Sequence, residues 1–227
     1  MQVFFEEVPD YFPFRHQPWD ETEGAAECIY YNFRQSPELI PEVLEDFKPF
    51  SHYRSVQSFY DLLRWMTEDD CPFESNDCRL SLPQPNSQRH LANKDVVRVG
   101  SLMFFFHNLK LNLSEDSKLW ANKIRSRQIE PIEVRPTPNE LYLELARCCL
   151  QGLREINPDS LTDCISVSFL PVLYDEAPAL NEDDRFGCQM VFRFWVWGDT
   201  DDEIMSSFDK TVSAMTQCLK IIATELP

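Results

Sequence analysis

Four carboxylates fall within five positions of this chain: Asp199, Asp201, Asp202 and Glu203, with Thr200 among them. Carboxylates gathered where a strand turns into a helix can hold a hard cation such as Mg²⁺. The same run is also a helix start. Thr200 and Glu203 have the spacing of a capping box, and acidic residues in a first turn complement the helix dipole. Helix chemistry accounts for the run more simply, so a metal-dependent enzyme using residues 199–203 is the alternative reading. Two further acidic runs, Glu68-Asp69-Asp70 and Glu182-Asp183-Asp184, lie in turn-rich sequence. Such runs are usually a solvated face, and they also suit contact with a basic partner.

Other reactive residue types lack a catalytic arrangement. The four histidines, at 16, 52, 90 and 107, show no H-x-E or H-E-x-x-H spacing. With only 5 Gly there is no phosphate-binding loop, and no G-x-S-x-G elbow or kinase signature is present. His107, alone on an apolar stretch, reads as a structural residue. The 8 Cys are irregularly spaced and include no C-x-x-C pair, so neither a zinc ribbon nor a redox centre is indicated. Cys148, Cys164, Cys188 and Cys218 sit in apolar-patterned segments, where a free thiol packs as a small core residue. No catalytic residue, metal or cofactor is assigned.

Arg193, Trp195 and Trp197 alternate on one face of a segment whose other face is Cys188, Met190, Phe192, Phe194 and Val196. If helices cover the apolar row, the tryptophans point to solvent or to a partner, and Trp and Arg are enriched where protein interfaces hold tightest. A sheet covered on both faces would instead simply pack them, leaving Arg193 in need of a carboxylate. Arg193, Trp195, Trp197, residues 68–70 and residues 182–184 (Glu182, Asp183, Asp184) are therefore the candidate contact residues.

The elements that must position these groups follow from periodicity. Strands are expected near Val3–Phe5 and over Ala26–Phe33. Ser36-Pro37-Glu38 opens a short helix ending near Lys48. Val56 to Met66 carries a helical apolar stripe at 56, 59, 60, 63 and 66. From 67 to 100 the pattern dissolves, and a long irregular segment is expected there. Leu102 to Phe106, continuously apolar, suits a strand covered on both faces. Ser114 can cap a helix, and Ile132–Arg135 suits a short strand. Thr137-Pro138-Asn139-Glu140 announces a helix with the stripe Leu141, Leu145, Cys148, Cys149 and Ile156. Ile165, Val167 and Phe169 alternate with serines, as in a half-exposed strand, and pair antiparallel with 188–197 across an exposed connection at 175–185. The last helix starts at Thr200 and carries Ile204, Phe208, Val212, Met215, Leu219 and Ile222. These elements predict a single α+β domain over 1–227: a mixed, largely antiparallel sheet with helices packed mainly on one face.

Composition bounds the function further. Among 227 residues 43% are hydrophobic, with 17 Phe, enough for a substantial core despite a net charge of −17. Charge is uneven: residues 1–76 hold 16 acids and 5 bases (−11), 77–135 hold 6 and 10 (+4), and 136–227 hold 16 and 6 (−10). A field of this sign repels nucleic acid and anionic membranes and speeds association with basic proteins. It also serves solubility alone. The amino terminus lacks the basic region and apolar stretch of a secretion signal, and no apolar run approaches the roughly 20 residues that span a bilayer. A cytoplasmic location is expected.

The chain resembles the immunity protein 52 family of bacterial polymorphic toxin systems. The resemblance lies in length, acidic balance, the segment G-A-A-E-C-I-Y-Y-N-F at 24–33 and F-R-F-W-V-W-G-D at 192–199. It implies an α+β fold and a non-enzymatic inhibitor that binds a DNA-cleaving toxin, in pairs often deployed by type VI secretion. The partner would be a cognate basic nuclease toxin, not nucleic acid itself. A toxin-loading chaperone or adaptor is a further alternative. Oligomeric state is not specified by any of these features.

Overall fold

The two strands expected to pair in the C-terminal half form the middle of the sheet. In the computed structural model, which describes residues 2–5, 15–17, 31–90, 92–114, 140–156, 163–174 and 186–225, seven strands form one sheet. They are β1 (Gln2–Phe5), β2 (Arg15–Gln17), β3 (Phe73–Leu80), β4 (Gln84–Pro85), β5 (Val96–Phe106), β6 (Asp163–Tyr174) and β7 (Phe186–Gly198). The main order is β1-β6-β7-β5-β3, with β2 also on β6 and β4 on β5. Pairs β6–β7, β5–β7 and β3–β5 are antiparallel, whereas β1 and β2 run parallel to β6. The architecture is α+β with a mixed, largely antiparallel sheet.

Alternation sets the register. Phe192 of β7 lies between Leu102 of β5 and Val167 of β6, and Met190 lies between Phe104 and Phe169. That face is fully covered and joins one core with α2 (Arg54–Trp65), α3 (Glu140–Ile156) and α4 (Asp201–Glu225). Every apolar position expected of the last helix is buried. In α3, Leu145 and Cys149 enter the core as expected, Leu141 and Cys148 lie at its margin, and Tyr142 and Leu153 join them. Phe194 stacks on Phe208 at 5.4 Å, tying the sheet to α4, and Phe47 stacks on Phe59 at 4.9 Å, tying the turn before α2 to that helix. Gly100 has a specific reason to lack a side chain: a Cβ there would lie 2.2 Å from the Phe194 ring.

Three expectations need correction. The stretch 67–100 is not wholly irregular, because β3 spans Phe73–Leu80 and pairs along β5. A bulge between Ser75 and Asp77 shifts the inward positions from 73 and 75 to 78 and 80, so the period-two signal breaks in mid-strand. Its inward residues also include Ser75 and Cys78, which weakens the apolar alternation. The short helix ending near Lys48 is three pieces: a 3₁₀ turn at Pro37–Leu39, α1 (Ile40–Val43) and a 3₁₀ turn at Lys48–Phe50. Pro41 and Pro49 cannot donate the backbone hydrogen bonds that would continue one helix. At the end of the expected strand 26–33, Phe33–Gln35 form a turn, with the Asn32 carbonyl accepting from the Gln35 and Ser36 amides. The rest of that strand, the helix after Ser114, the strand at 132–135 and the connection at 175–185 lie outside the described residues.

The second face of the sheet is covered as well. Ser166 and Ser168, expected on the exposed side of β6, are buried, as is Gln189 of β7. Gln189 accepts a hydrogen bond from the Asn76 side chain at the β3 bulge, at 2.5 Å. Among the described residues no helix is long and apolar enough to cross a membrane.

Candidate functional site

Two acidic regions flank α2, and they are built differently. At its N-terminal end lies the start of α4. Gly198 ends β7, and Thr200 then accepts from the Ile204 amide through its carbonyl and from the Glu203 amide through its hydroxyl. The capping box closes one residue early, since the Glu203 carboxylate takes the Asp199 amide at 2.7 Å. Lys94 bridges Asp199 at 3.1 Å and Glu203 at 2.9 Å, and Asp199 also accepts from the Asp95 amide at 2.7 Å. Asp202 accepts from the Tyr53 hydroxyl at 2.7 Å, and Asp201 faces the buried Arg98 at 3.9 Å.

The electrostatics follow these contacts. The Asp95 amide and then the Lys94 ammonium hold Asp199 below the usual carboxylate range, and the Asp199 amide and then Lys94 do the same for Glu203. Hydrogen bonds to Glu203 and Asp199 raise Lys94 in turn. The Asp202 carboxylate pushes the Tyr53 hydroxyl up, and burial pulls Arg98 down against the pull of Asp201. Asp199, Asp202 and Glu203 thus accept hydrogen bonds within the fold, and Asp201 faces Arg98 at ion-pair distance. Among the described residues no group of three or more His, Cys, Asp or Glu side chains is placed to hold a metal ion. An open hollow of about 370 Å³ sits beside the run, walled by Lys94, Trp197, Glu203, Ser206 and Lys210 among others.

At the other end, α2 runs out at Trp65 and the chain turns through Glu68, Asp69 and Asp70 before entering β3. All three residues are exposed, and among the described residues none of their carboxylates makes an ion pair or hydrogen bond. The turn itself is tightly held. The Arg34 guanidinium donates to the carbonyls of Glu68 at 2.9 Å, Met66 and Cys71 at 3.3 Å, and Phe73 at 3.5 Å. Its side chain is only 15% exposed and also faces Glu74 at 3.9 Å. One cation therefore ties the C-cap carbonyl of α2 to three carbonyls of the turn and the start of β3. The Cys71 thiol beneath the turn is pushed up to about 11 by burial, which keeps it protonated and inert.

The remaining candidates divide. Trp197 is buried, with Ala92, Val97 and Cys164 around it, so it is not a free contact residue. The covered second face is the reason, and it is the packing alternative that alternation left open. Arg193 and Trp195, on the same face, are half-buried and engaged in the fold. Glu182, Asp183 and Asp184 lie outside the described residues. Cys164, Cys188 and Cys218 are buried free thiols, as their apolar surroundings suggested, while Cys148 is half-buried. His107 is exposed and bonded to Glu74 at 2.9 Å. Sequence reasoning did not find Arg34, Tyr53, Lys94 and Arg98. Their partners lie 17 to 149 positions away, and nothing local marks such pairs.

Fold and site together define an acidic α+β protein with one carboxylate cluster engaged by the fold and one that has no partner among the described residues. No protein-family model, curated protein or solved structure matches the chain.

Proposed function

We propose that this chain is a non-enzymatic immunity protein that binds a cationic nuclease toxin in the cytoplasm and blocks it by protein–protein contact. The observation that carries the reading is the turn at Glu68, Asp69 and Asp70. Three exposed negative charges, without a partner among the described residues, follow the end of α2 on a backbone held by Arg34. Among the described residues their carboxylates hold no contact of the fold, whereas a partner's cationic cleft would meet them already ordered. A nuclease requires such a cleft to hold phosphates, and an anionic inhibitor is steered toward it. The net charge of −17 supports the same direction of steering.

The alternative of metal-dependent catalysis at 199–203 has less support, since those carboxylates are already engaged by Lys94, Arg98, Tyr53 and backbone amides. The test is co-expression with a candidate cationic nuclease toxin, paired with a DNA-cleavage assay on the purified toxin. Protection of cells and loss of cleavage at stoichiometric ratio are expected. Binding with cleavage intact would identify a loading chaperone instead, and equal killing with and without this chain would refute the proposal.

A further inference from the structure

We draw no further inference here: the strongest candidate, the open groove of about 460 Å³ between α2 and α4 lined by Arg54, Asp61, Asp209 and Lys220, carries balanced charge, and nothing in the structure shows what covers it.

Discussion

The acidic runs at the two ends of α2 have nearly the same composition and opposite relations to the fold. Around Asp199 to Glu203 the carboxylates sit at a helix N-terminus, where dipole and unpaired amides favour them, and each is matched by Lys94, Arg98, Tyr53 or an amide. Around Glu68 to Asp70 they follow a helix C-terminus, and it is Arg34, not any of the three acids, that satisfies the chain end. Acidity in a sequence is therefore not one signal. Charge that matches its local backbone is accounted for by folding, and charge that opposes it asks for another explanation.

Four experiments can break or sharpen this contrast. The largest effect is expected in binding: if the proposed toxin partner holds, the triple substitution Glu68→Lys, Asp69→Lys, Asp70→Lys should slow association with it by roughly tenfold or more at low salt and flatten its salt dependence, as stopped-flow mixing would record. The same variant should keep its unfolding free energy within about 0.5 kcal/mol, because these side chains have no partners among the described residues. An unchanged association rate would show that the turn does not steer.

Next in size is Arg34→Ala. It removes the guanidinium donor from the carbonyls of Met66, Glu68 and Cys71, leaving Glu68 only the Cys71 amide, and should cost about 1–3 kcal/mol in urea unfolding, with faster amide exchange over 67–73. Equal stability and exchange would mean that the turn is held by other contacts.

Smaller again is Lys94→Ala, which removes the ammonium shared by Asp199 and Glu203 and should lower the melting temperature slightly while leaving toxin association unchanged. A loss of association equal to that of the turn variant would erase the distinction between the two regions.

The pH dependence has a defined sign. Asp199 and Glu203 titrate below their ordinary values of 3.8 and 4.5 in the folded state, so the unfolded chain takes up protons first as pH falls. Their contribution is complete above those values and is lost as pH drops through the lower folded ones. The raised Lys94 adds stability that is complete below 10.5 and fades as pH rises through its higher folded value. Acid titration followed by circular dichroism should show a shallower low-pH slope in the Lys94→Ala variant, with the part due to the backbone amides retained; an identical slope would mean that the pair is not formed in solution.

Much of the framework was legible along the chain. Strict period-two alternation located β7 and its apolar row, and spacing by three or four residues located α2 and α4, because burial of one face imposes that period on sequence. The capping pattern at Thr200 marked the start of α4, since its donors and acceptors lie within four residues. β3 escaped because a bulge reverses its inward face halfway, and its burial depends on β5 more than twenty residues later. The covered second face escaped for a related reason: Ser166 and Ser168 look solvent-facing until cross-strand neighbours are known.

What the residues by themselves determined was the inventory: which stretches could fold as amphipathic elements, and how much negative charge the surface must carry. Only the tertiary structure decided which of those charges are matched, because a salt bridge or a capped carbonyl is a relation between distant positions. Arg34 meets the end of α2 and Lys94 meets the start of α4 only once the sheet has brought them there. That arrangement quiets one acidic run and leaves the other facing outward.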